Sequence, residues 1–147
     1  MDLRNDMLTI PLGQRFTLGE QQNLFFVNLE RFALRSRADI DAIARAVGAR
    51  LGGLNRRVYA IVNYDNFSIL PEWLDEYSEM VRSLTERFYS GVSRYTTSGF
   101  LRIKLGEALE KLGVAAHIFE SADEAQSDWR NIEGGAGLHP APNKRAI

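Results

Sequence analysis

The residues Val58–Tyr64, reading VYAIVNY, form an almost unbroken apolar run. An alternating pattern would leave one face in water, whereas a continuous one needs cover on both faces. Such a run belongs inside a mainly parallel sheet with helices packed against it. Whatever else the chain does, it must supply those helices.

It does so at regular intervals. Ser36 offers its hydroxyl to a helix start, with Asp39 three residues on as a short version of a capping box. Ile40, Ile43, Val47 and Leu51 then recur at three- and four-residue steps and make one apolar face. Gly52 and Gly53 supply the stop. Pro71 suits a first helical turn, where its missing amide costs nothing. Leu74, Tyr77, Val81, Leu84 and Phe88 continue that second helix, and Gly91 is expected to end it. Ser98 caps a third helix with Leu101, Leu105, Ala108 and Leu112 on its face, closed by Gly113. Ser121 and Glu124 cap a fourth, which runs to about Trp129.

Strands fall between these helices. Asn23–Leu34 (NLFFVNLERFAL) reads as one strand, or as two short ones meeting near Glu30 and Arg31. Val92–Thr96 and Ala115–Phe119 are two more. The alternation predicts an α/β fold with a small, mainly parallel but mixed sheet and about four helices. Residues 23–130 form this domain. Residues 1–22 are a polar N-terminal segment, broken by Pro11, Gly13 and Gly19, in which Leu8 and Ile10 suggest an edge strand. Residues 131–147 lack a periodic face and are expected to be a flexible tail. Phe100, like Tyr77, is expected in the core.

Composition narrows the function. The chain has 147 residues, 18 of them Lys or Arg and 19 Asp or Glu, for a net charge of −1. Nucleic-acid binders carry a basic excess, and this chain has none. No apolar run approaches the ~20 residues that span a bilayer. Met1–Thr17 lacks the apolar stretch of a signal peptide, so a cytoplasmic location is expected. There are no cysteines, which excludes thiolate chemistry and cysteine zinc sites. His117 in a short strand and His139 in the tail do not make a metal site. No Gly-rich phosphate loop is present, because Gly52-Gly53 lacks the lysine and hydroxyl that follow in a P-loop. No metal, no cofactor and no catalytic residue is therefore expected.

In parallel sheets, ligands bind beyond the carboxyl ends of the strands. Two polar segments fall there: Asn63, Asp65 and Asn66 after one strand, and Arg94, Thr96, Thr97 and Ser98 after the next. The second opens into a helix, whose free amides with an arginine and hydroxyls could hold an anion. Equally, Ser98 is a plain helix cap and Asp65-Asn66 a plain turn. Asp65 and Thr96 are placed as in a phospho-acceptor receiver domain, but the acidic pair and the lysine of such domains are missing.

The runs RVYAIVNYDNF (57–67), RFYSGVSRYTTSGFLRIKLGEAL (87–109) and HIFESADEA (117–125) resemble the C-terminal module of some bacterial acyl-CoA:acetate/3-ketoacid CoA-transferases. Residues 23–43 are similar to it more loosely, and the stretch around RYTTSGFLR is the most specific. The resemblance implies a STAS/SpoIIAA-like fold. It also implies a non-catalytic accessory or regulatory role through contact with a CoA-transferase domain or subunit; apart from the resemblance, a homodimer is a second expected form of assembly. The transferase's catalytic glutamate lies in domains that nothing here matches, so no enzyme activity is implied. The phosphorylatable Asp-Ser-Ser-Gly segment of sigma-factor antagonists is replaced by Asp65-Asn66-Phe67-Ser68. The alternative function is a module that binds a small ligand, an acyl-CoA or another anion, at the polar edge of the sheet.

Overall fold

The computed structural model describes residues 10–134. Its main sheet contains β1 (Phe16–Gly19), β2 (Leu24–Asn28), β4 (Val58–Asn63), β6 (Tyr89–Tyr95) and β7 (Ile118–Phe119), in the order β1-β2-β4-β6-β7. β1 runs antiparallel to β2, and every other pairing is parallel. Two very short strands, β3 (Ala33–Leu34) and β5 (Ser68–Ile69), pair parallel beside it. The expected α/β class and mixed, mainly parallel sheet are therefore observed.

The helices are α1 (Arg37–Leu51), α2 (Leu74–Phe88), α3 (Gly99–Lys111) and α4 (Ala122–Trp129). Each crossover from β2 to β4 to β6 to β7 steps the same way along the sheet. Crossovers of one hand that step one way put their helices on one face. Accordingly α1, α2 and α3 form one layer, burying Ile43, Val47, Val81, Leu84, Leu105 and Leu109 against Phe25, Val27, Val58, Ala60 and Val62. Each such aliphatic side chain contributes about 1.5–3 kcal/mol by leaving water. The opposite face has α4, where Ala125 and Trp129 pack on Leu24, Tyr59 and Ile61. β4 is thus covered on both faces, as its continuous apolar run demands.

The caps form where the side chains call for them. Ser36, Ser98 and Ser121 each accept a hydrogen bond from the amide three residues on. In α1 and α4 the first-turn carboxylate, Asp39 or Glu124, accepts from the amide just before its serine. α3 ends on Gly113 at φ +78°, with the Val114 amide bonded to the Leu109 carbonyl and the Gly113 amide to that of Glu110. That paired closure needs a left-handed residue, which glycine adopts without penalty.

Several boundaries differ from expectation. The edge strand is Phe16–Gly19, while Ile10 lies outside any strand and Leu8 lies outside the described residues. Pairing with β2 across a turn with Asn23 at φ 56° selects the later segment. Asn23–Leu34 is two strands, with Arg31 at φ 61° in the bend between them. Pro71–Trp73 is a 3-10 turn, and α2 starts only at Leu74. α2 also ends earlier than Gly91, at Phe88, and Gly91 lies within β6. The fourth strand is trimmed to Ile118–Phe119, leaving His117 just outside it. Of the expected tail, Asn131–Gly134 continues from α4 as a wider helical turn that begins at Arg130. The rest of it, 135–147, lies outside the described residues. Phe100 is not core: it is 73% exposed.

Gly91 is needed for its missing side chain. A Cβ there would meet the Tyr59 ring at 2.8 Å. The ring cannot step aside easily, because its hydroxyl is tied to Ser93 and Asp128. Gly91→Ala is therefore expected to destabilise the chain by about 1–3 kcal/mol through overpacking. Urea unfolding measures this, and a change under about 0.5 kcal/mol would show that the ring is free to move.

Candidate functional site

β4 and β6 run parallel, with Asn63 opposite Tyr95, so their polar ends emerge side by side. The two segments singled out in the sequence do meet there. The Tyr64 amide donates to the Tyr95 carbonyl at 2.9 Å. Asp65 Oδ1 accepts from the Thr97 amide at 2.8 Å. The buried Thr96 hydroxyl donates to the Tyr64 carbonyl at 3.2 Å and accepts from the Ser98 amide at 3.1 Å. Asn63 Oδ1 accepts from the Asp65 amide, and its Nδ2 reaches Glu30 at 3.4 Å. Asn66 is exposed at φ 58°, a left-handed turn position that asparagine tolerates. Ser98 caps α3.

Asn63, Asp65, Thr96, Thr97 and Ser98 are thereby joined in one network, and most of its bonds run from one loop to its own or the neighbouring backbone. What this arrangement does chemically is to lock two loops together. An anion bound at this edge would have to compete with Asp65 for the Thr97 amide and with Ser98 for the amide at the start of α3.

Beside the network lies a cleft of about 350 Å³, lined by Arg15, Phe26, Asn63, Tyr95 and Gln126 among others. Arg15 is buried and held by carbonyls, donating to Ile10, Asn28 and Glu30 at 2.8–3.1 Å. Burial pushes the Tyr95 hydroxyl pKa up, and Asp65 and Glu30 add to the shift.

Arg94 parts from the set. Its β-strand neighbours Ser93 and Tyr95 face α4, so Arg94 faces the α1–α3 layer. It is 1% exposed and lies among Tyr64, Tyr77 and Tyr89. Tyr64 and Tyr77 share a hydrogen bond of 2.7 Å between their hydroxyls. Desolvation raises the pKa of all three phenols. Arg94 works against this at Tyr64, while the neighbouring Tyr64 reinforces it at Tyr77.

A second polar cluster had no sequence signal, because its members come from three elements. Ser93 Oγ is fully buried and donates to Asp128 Oδ2 at 3.0 Å. The Tyr59 hydroxyl bonds to both. This cluster fastens α4 to the sheet. Among the described residues no group of three or more His, Asp or Glu side chains could hold a metal ion.

Two outcomes follow from this geometry. Asp65→Ala should cost about 1–2 kcal/mol, whereas Asp65→Asn, which keeps an acceptor for the Thr97 amide, should lose less than half as much; chemical denaturation of the two variants separates them. The tyrosines set an alkaline limit. Their unfolded value is near 10.0 and their folded values are higher. Below pH 10 both states keep the proton and stability is unaffected. Above it the unfolded chain ionises first, so stability falls as pH rises from 10 toward the folded values. Urea midpoints against pH, with phenolate absorbance, should show that fall. No family model matches the chain, and neither a curated protein nor a solved structure does.

Proposed function

We propose that the chain is a non-catalytic accessory module of STAS-like type that works in the cytoplasm by contacting a CoA-transferase. One observation carries the contact. Phe100 and Ile103 are 73% and 61% exposed on the outer side of α3, one turn apart. The inner side of the same helix buries Leu101, Leu105 and Leu109. Single exposed apolar residues are common, but a pair on one helix face is a small docking surface. Lys104 lies 5.9 Å from the Phe100 ring and gives the patch a basic rim. Both residues fall within 87–109, the run in which the resemblance to the transferase-linked module is most specific.

The closed network at the sheet edge favours this reading over a ligand held there, since its amides are already bonded. The partner is a transferase domain or subunit, and a second copy of this chain is the competing occupant. No helix among the described residues is long and apolar enough to cross a membrane.

The test uses purified chain and a CoA-transferase lacking such a module. A complex should form, and Phe100→Ser with Ile103→Ser should weaken it at least tenfold. The double variant should melt close to wild type, because exposed positions contribute about 0.5 kcal/mol or less. Absence of a complex, or a complex indifferent to both substitutions, would sink the proposal. Self-association lost in the variant would assign the patch to a homodimer instead.

A further inference from the structure

Arg94 is a charged side chain only 1% exposed. A guanidinium stays charged at any ordinary pH. Buried charges are normally paired. Yet no carboxylate among the described residues forms an ion pair with Arg94; the ion pairs there involve Arg37, Arg82 and Arg102. Its Nη1 donates to the Ala115 carbonyl at 3.1 Å and the guanidinium hydrogen-bonds to the neutral Tyr64 hydroxyl, while its Nε is buried with no hydrogen-bond partner. The contrast with Arg15 is direct: three carbonyls hold that side chain. The surrounding phenols cannot serve as counter-ions, since burial keeps Tyr64, Tyr77 and Tyr89 protonated at neutral pH.

Arg94 also lines a cavity of about 280 Å³ between α2, the start of β6 and the turn after α3. We propose that Arg94 anchors a binding site for a small monocarboxylic acid, which enters by this cavity and brings the missing negative charge to the guanidinium. A carboxylate matches the planar fork of an arginine. The charge at the mouth argues for a single negative charge. Arg82 is there, but Glu79 and Glu86 already pair with it at 2.7 and 3.2 Å. Glu86 itself lines the cavity, as does His117, and the carboxylate repels a dianion such as phosphate more than a monoanion. Val92, Leu112 and Val114 offer apolar wall for a short alkyl chain. The volume lies at the lower end of ordinary ligand pockets, which suits an acid of a few carbons. The cavity runs from the amino end of β6 to Arg94, the sixth of its seven residues, whose side chain lies in the α1–α3 layer, and the proposal stands independently of the contact through Phe100 and Ile103.

The experiment is a thermal-shift titration of the full chain at constant ionic strength. Acetate, propionate, butyrate and hexanoate are compared with propionamide, butyramide and inorganic phosphate. At about a hundredfold excess over Kd, the best carboxylate should raise Tm by roughly 5–10 °C, and the amides and phosphate should not. Arg94→Met should lose the shift. Without ligand it should melt no lower than wild type, because an apolar side chain replaces a buried uncompensated charge. Equal shifts from acid and amide, equal shifts from phosphate, or no shift from any acid would overturn the assignment. So would a carboxylate shift that survives in Arg94→Met. Should that variant not fold, the wild-type comparison of acid with amide decides alone.

Discussion

Burial of β4 on both faces is the constraint on which the rest depends. Val58, Ala60 and Val62 face one helix layer, and Tyr59 and Ile61 face the other. The two layers are unequal. Three same-direction crossovers stack α1, α2 and α3 on one side, leaving the eight-residue α4 for the other. A single short helix buries little apolar surface, so hydrogen bonds supplement it. The Tyr59–Ser93–Asp128 cluster pins α4 to the sheet, and Gly91 makes room for the Tyr59 ring beneath it. Phe26, on the same face in β2, is left 38% exposed.

The elements with strong local demands were legible in the sequence. Ser36, Ser98 and Ser121 each began a helix, because a serine hydroxyl meets a need present at every helix start. The apolar run of β4 announced a buried strand. Elements defined by their partners were harder. Phe16–Gly19 is a strand because β2 lies beside it, and its own pattern is unremarkable. The start of β6 reads in sequence as the end of a helix, since Phe88 continues the apolar spacing of α2 and Gly91 resembles a stop. The register with β4 overrides both signals.

The candidate edge was legible in position and opaque in chemistry. β4 and β6 are neighbours in the main sheet, so Asp65 and Thr97 had to come close. That they would bond to each other depends on an amide direction, which residue type does not specify. Phe100 shows the same limit from another side. An aromatic residue at the start of an apolar helix reads as core, but Leu101, Leu105, Ala108 and Leu109 already fill the inner face of α3. Phe100 and Ile103 are turned outward by the helical period alone.

The placement of Arg94 has a backbone cause. Val58 pairs with Tyr89, but Tyr59 pairs with Gly91, so Ser90 is an extra residue on β6. Such a bulge breaks the strict alternation of faces. It lets Tyr89 lie on the same side as Val92 and Arg94, whereas unbroken alternation would turn Tyr89 to the α4 side. The aromatic ring and the guanidinium are thus brought into one layer by one inserted residue. Asp128, the carboxylate bonded to Ser93, is on the other side of the sheet, packed with α4. The arrangement that buries Tyr89 therefore also sets the Arg94 charge in a layer where no described carboxylate pairs with it.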